Sequence, residues 1–171
     1  FSEDLSNNEV VKAGLNTLVG LKIEGPAGLV ADYIFVGPYD LSPANQNAAP
    51  YFLEDFEGYE SEDALNAVWS AKQSQASCGL TNRYPPIKLV KTDRGTSGLF
   101  IEQLALPDHC DCNTNHYNSP LYNYFDRVEL SIKPNAVHIP LSKAPYFEVA
   151  AKGEGTLYCY LDLSNGKTIG A

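Results

Sequence analysis

The chain ends on LDLSNGKTIGA, residues 161–171, and this ending constrains the fold more than any other segment. It reads as a strand, an Asn165-Gly166 turn and a returning strand that runs only from Lys167 to Ala171. Asn-Gly between β-like runs is the strongest short-range hairpin signal, because both central residues of a type I′ turn need positive φ. Written head to tail, the stub continues into Phe1-Ser2-Glu3-Asp4-Leu5. A stub of this kind leaves backbone donors and acceptors that must be satisfied somewhere. Either the chain closes its own sandwich with permuted ends, or it shares a strand with a neighbouring copy.

The rest of the sequence is compatible with either outcome. At 171 residues it is one domain, or one domain plus an arm. It is 44% apolar and 19% charged, with 13 Gly, 11 Pro and 11 Tyr, and its apolar residues fall in short runs. That profile favours an all-β domain with many turns. The net charge of −9 gives no counterion-release drive toward nucleic acid or anionic lipid, so neither is expected as a partner. No run of 18 apolar residues occurs, so no membrane-inserting helix is expected. The chain has no methionine, and it reads as a processed piece of a longer precursor. Its four cysteines, Cys78, Cys110, Cys112 and Cys159, favour disulfides and an extracellular or cell-surface location. A Cys110–Cys112 bridge would close a very tight ring. The expected pattern joins Cys78 to one of that pair and Cys159 to the other.

Periodicity predicts strands over 16–25 and 28–37, joined at Pro26-Ala27-Gly28 as a hairpin. Residues 38–50, PYDLSPANQNAAP, read as a linker between these closing strands, 1–37, and the main part of the sandwich, 51–171. A strand is expected over 51–57. Ser61 then suits a helix N-cap, Glu62 and Asp63 suit the first turn, and Leu65, Val68 and Trp69 share a face. Further strands are expected over 86–92, 97–105, 124–132, 145–151 and 156–163, with a polar, cysteine-bearing loop over 107–123. The fold class is therefore all-β: a two-sheet jelly-roll sandwich with one short helix, its N-terminal strands acting as a permuted or donated closing hairpin.

Two segments carry a resemblance. Leu53 to Trp69, LEDFEGYESEDALNAVW, resembles the opening of carbohydrate-binding modules of the galactose-binding-like β-sandwich group, with the β-glucan-binding modules of family 11 as the closest match. Those modules begin with a strand carrying Asp-Phe-Glu, then a Tyr, then a short helix ending on Trp. Leu21 to Gly37, LKIEGPAGLVADYIFVG, resembles the closing hairpin of the same modules. Thr92 to Leu104, TDRGTSGLFIEQL, is similar to their second strand. Together these cover about half of the chain. Their order is permuted, since the closing strands precede the opening one. The resemblance implies a structural calcium held by the Glu of the first strand and an Asp of the last. By match these are Glu57 and Asp32, with Asp93 beside them. The family pattern has two consecutive acids where this chain has Asp32-Tyr33, and oxygen ligands are what calcium requires.

Other residues invite chemistry. His109, Cys110, Cys112 and His116 are zinc-ligand types, but Cys-x-Cys is not the usual knuckle spacing, and a disulfide-pinned loop is the preferred reading. Tyr117, Asn118, Tyr122 and Asn123, with Arg83 and Tyr84 from the segment TNRYPP, supply flat aromatic faces and amides of the kind that bind glycans. Trp69 reads as core. The carboxylates Glu54, Asp55 and Glu57 and the group Glu60, Glu62 and Asp63 show no pairing across a cleft, and His138 lacks a nucleophile context. No catalysis is expected. The function expected is a non-catalytic structural subunit or repeat of a surface fibre, partnered with copies of itself through strand complementation. The alternative is a self-contained, circularly permuted glycan-binding module of a polysaccharide-degrading system.

Overall fold

The computed structural model describes residues 1–12, 17–26, 28–38, 52–75, 81–102, 127–133, 136–141 and 146–170. Their strands form two antiparallel sheets, an all-β two-sheet sandwich. In the first sheet the order is β1 (Ser2–Asp4), β11 (Tyr146–Lys152), β3 (Val30–Gly37), β8 (Ser97–Ile101), β7 (Ile87–Lys91), and β4 (Phe52–Glu54) also pairs with β3. In the second it is β13 (Thr168–Gly170), β12 (Tyr158–Leu163), β2 (Thr17–Pro26), β9 (Arg127–Ile132), β5 (Trp69–Gln75), β6 (Thr81–Arg83), and β10 (Ile139–Pro140) also pairs with β2. Side chains alternate across each pleat. One set, including Ile34, Val36, Phe147, Val149 and Leu99 from the first sheet and Leu21, Ile23, Leu130, Cys159 and Leu161 from the second, fills the core between them.

The expected hairpin over residues 16–37 is corrected. β2 and β3 do not pair with each other: β2 lies between β12 and β9 in one sheet, and β3 between β11 and β8 in the other. The chain passes from one sheet to the other between the end of β2 at Pro26 and the start of β3 at Val30, with Gly28 at φ +78°. Both strands are rich in apolar residues, and each places its buried set, Leu21 and Ile23 or Ile34 and Val36, in the core from opposite sides. A hairpin would have put these residues on one face of one sheet.

Both ends of the chain are paired to strands of the same chain. The Phe1 amine donates to Val149 O at 2.9 Å, Val149 N donates to Phe1 O at 2.8 Å, and the Phe1 ring packs on Phe147 at 6.1 Å. β13 returns along β12 with Ile169 opposite Leu161. The C-terminal hairpin is therefore present, but its turn is not type I′. Asn165 does not have positive φ; only Gly166 does, at +78°. Gly166 N donates to Leu163 O at 2.9 Å and Leu163 N to Lys167 O at 2.8 Å, the geometry of a three-residue loop with a left-handed glycine bulge. β1 lies at the edge of the first sheet and β13 at the edge of the second.

The helix α2 (Glu62–Val68) starts as expected, with Ser61 Oγ accepting from Ala64 N at 3.1 Å. It stops at Trp69, which turns extended and begins β5 beside Ile132. Asn66 Nδ2 donates to Ile87 O at 3.3 Å and ties the helix to β7. Ahead of it, Phe56 is the one non-glycine described residue with positive φ, +58°, and its fully buried ring packs on Trp69 at 6.0 Å. Glu54 gathers this corner: it accepts from Phe56 N at 2.9 Å, Tyr59 OH at 2.7 Å and Trp69 Nε1 at 3.0 Å. Its carboxylate thus has a structural role, and Trp69 is core, as expected.

Candidate functional site

A β-bulge in β3 creates the most distinctive polar arrangement on the outer face of the first sheet. Opposite β11, Ala150 faces Tyr33 and Ala151 faces Ala31, so Asp32 is the extra residue. Ala31 and Ile34 are both core residues, and the bulge turns Asp32 and Tyr33 away from the core between them. Bulges re-aim side chains in this way. The turn from β7 to β8 then closes over Asp32. Thr92 N donates to Thr96 O and Gly95 N to Thr92 O, both at 2.9 Å, and Gly95 adopts φ +80°. This places Arg94 Nη1 at 3.2 Å from Asp32 Oδ2 and Thr96 Oγ1 at 2.6 Å from Asp32 Oδ1. The guanidinium lies over the Tyr33 ring at 5.8 Å.

Tyr33 links this cluster to a buried carboxylate. Its hydroxyl donates to Glu148 Oε1, and Tyr146 OH donates to Glu148 Oε2 at 3.1 Å. Glu148 is only 5% exposed, the sole buried charged residue among those described. Buried charges persist when hydrogen-bonded, and two phenols supply that here. Burial first, and then the bond to Glu148, push the Tyr33 hydroxyl well above its ordinary pKa, so it remains a donor.

Beside the bulge lies a cleft of about 620 Å³, lined by Gly28, Val30 and Asp32, by Lys91, Thr92, Asp93 and Arg94 of the turn, and by Ala150, Ala151, Lys152, Gly153 and Glu154 at the end of β11. Lys152 Nζ meets Asp93 Oδ2 at 2.5 Å across it. The volume is that of an ordinary small-ligand pocket.

The three residues matched to a calcium site are placed as follows. Asp32 is held by Arg94 and Thr96, and Asp93 by Lys152; both line the cleft. Glu57 lies outside the cleft lining and is exposed, accepting from the Ser97 backbone N and from Ser97 Oγ at 3.0 Å. The Ser97 amide, chiefly, holds the Glu57 carboxyl below its usual range. Among the described residues no three His, Cys, Asp or Glu side chains come together where they would hold a metal ion. The donor set does not fit calcium as it stands, because a cation occupies the place beside Asp32.

Of the expected glycan-binding residues, Tyr117, Asn118, Tyr122 and Asn123 lie outside the described residues, as do His109 and His116. Arg83 ends β6, where its backbone pairs with Gln73 in the second sheet. Tyr84 follows it, 71% exposed and ahead of a buried Pro85. The disulfide expected at Cys159 is corrected. Cys159 is a free thiol, 2% exposed among the core residues of β12, where strand alternation directs it between the sheets. Burial pushes its thiol up to about 12. Cys78, Cys110 and Cys112 lie outside the described residues. The residues linked to Asp32 at the bulge, Arg94, which lines the cleft, and Tyr33 and Glu148 behind it, were not expected. The one sequence signal near them was the aromatic Tyr33 directly after Asp32. No family model, no curated protein and no solved structure matches this chain.

Proposed function

We propose that this chain is a self-contained, non-catalytic glycan-binding module, a β-sandwich whose strand order is permuted relative to the carbohydrate-binding modules it resembles. The observation that carries this reading is the place of β2 and β3, each a central strand with neighbours on both sides. Donation of residues 1–37 to a neighbour would withdraw the middle of both sheets at once. Leu18, Leu21, Ile23, Leu29, Ile34, Phe35 and Val36, all at 2% exposure or less, would leave the core together. Each such burial is worth about 1.5–3 kcal/mol, and their sum is as large as the whole net stability of an ordinary domain, about 5–15 kcal/mol. Re-burial in a neighbour restores that sum, but closure within one chain has an effective concentration on the order of millimolar. Below that concentration the closed monomer prevails over a strand-exchanged fibre.

The glycan part of the reading draws on the resemblance, on the exposed Tyr84 ring, and on the cleft with its fixed Arg94 and Asp32. Aromatic faces stack on sugar rings, and a few fixed polar groups orient hydroxyls. The test combines light scattering on the native chain with an oligosaccharide array. A monomer of 18.7 kDa that retains oligosaccharides is expected. Filaments, or a monomer that retains no oligosaccharide, would contradict the reading.

A further inference from the structure

We propose that the cleft beside the Asp32 bulge is the glycan site and that it takes a carboxylate-bearing sugar, a uronate residue, with Arg94 as its anchor. This rests on the glycan-binding reading and adds the chemical class of the ligand. Val30 and Ala150 add small apolar side chains to the lining of the cleft, whose volume of about 620 Å³ can hold a sugar ring. Three cations and three anions line the cleft: Lys91, Arg94 and Lys152 against Asp32, Asp93 and Glu154.

These charges are not equally available. Asp32 is only 14% exposed and is engaged on both oxygens, by Arg94 at 3.2 Å and by Thr96 at 2.6 Å. Arg94 is 63% exposed. Its guanidinium carries five N–H donors, and among the described residues it meets one Asp32 oxygen and the Tyr33 ring. That anchored fork matches a carboxylate bidentately, and a side chain already held in place loses little freedom on binding. The Lys152–Asp93 pair is 74% and 78% exposed, and pairs of that kind contribute little stability. Lys152 is therefore readily exchanged from Asp93 to a ligand carboxylate, leaving Asp93 in water. The net charge of −9 does not decide the matter, because contacts inside the cleft lie within the Debye length of about 8 Å.

The test is calorimetric titration of the intact chain with a galacturonate trimer, its methyl ester and a neutral β-linked glucose trimer. The acid is expected to bind more tightly than the ester by about tenfold or more. Arg94→Ala is expected to lose about tenfold in affinity for the acid, and Arg94→Lys, which keeps the charge but not the fork, a large part of that. Lys152→Ala, at an exposed position where folding is not at issue, is expected to lose about threefold. Equal affinity for acid and ester, or Arg94→Ala and Lys152→Ala chains that bind like the parent, would overturn the proposal. Binding of the glucose trimer alone would overturn it while leaving the glycan reading in place. Binding of no oligosaccharide would overturn both.

Discussion

Replacing Glu54 by alanine removes one carboxylate and strands three donors. Glu54 accepts from Phe56 N at 2.9 Å, Tyr59 OH at 2.7 Å and the Trp69 indole N–H at 3.0 Å. Trp69 is fully buried, so its N–H has no route to water without moving the ring. A buried donor left without a partner costs about 1–3 kcal/mol. Tyr59 is part-buried and recovers some of its loss by turning outward. The three together give about 3–5 kcal/mol, a large share of the stability of a domain this size. Glu54→Gln keeps one acceptor oxygen and is expected to lose about 1–2 kcal/mol. The assay is urea unfolding followed by the fluorescence of Trp69, the only tryptophan, which reports on the same corner. With a slope of about 1–3 kcal/mol per molar, Glu54→Ala moves the midpoint down by about 2 M. The losses in Glu54→Ala and Tyr59→Phe are expected to be non-additive, because both remove the same bond. An unmoved midpoint in Glu54→Ala, or strict additivity, would mean that Glu54 does not hold this corner together.

Other consequences are equally direct. Phe56 combines a buried ring with φ +58°; Phe56→Ala is expected to lose about 3–5 kcal/mol, and Phe56→Gly no more than that, since glycine relieves the left-handed backbone, as parallel urea titrations would show. Cys159 is buried, with its thiol raised from an ordinary 9 to about 12. Its contribution to stability is therefore complete below pH 9 and is lost as pH rises through 12, and Tyr33 and Tyr59, both raised, act in the same direction. Peptide mapping after alkylation at about pH 8 should find Cys159 unmodified in the folded chain and modified in urea. Because Arg94 occupies the place beside Asp32, calcium or a chelator is expected to leave the melting temperature unchanged, and a clear rise with calcium would contradict the arrangement described.

Much of the fold was legible because its determinants are local. Alternation marked strands that became β2, β3, β7, β8, β11 and β12, and Ser61 capped the helix where its hydroxyl and the following acids required. What failed was non-local. The segment 26–28 is a turn in either a hairpin or a crossing between sheets, and only the positions of β9, β11 and β12 decide which. Trp69 fitted a helical face with Leu65, yet pairing with Ile132 draws it into β5. The short strands β1, β6 and β10 have no periodicity of their own and exist because a neighbour offers an edge. At the site, the resemblance singled out Asp32 as a calcium ligand, but the cation that pairs with it in the structure was not legible. Arg94 lies 62 positions away, and no pattern in TDRGTS announces that its guanidinium lands on a bulge in β3. Cys159 fitted a disulfide by count, whereas its strand position made it a core residue.

In the closed reading, residues 17–37 complete the sandwich of their own chain. Hydrogen exchange across a dilution series tests it most directly, because core strands open only with global unfolding. The amides of Leu21 to Gly25 and Ala31 to Val36 are expected to be among the slowest to exchange, with rates independent of concentration. Fast exchange of these amides in dilute solution, with protection appearing only as chains associate, would mean that the strands are shared between copies and would contradict it.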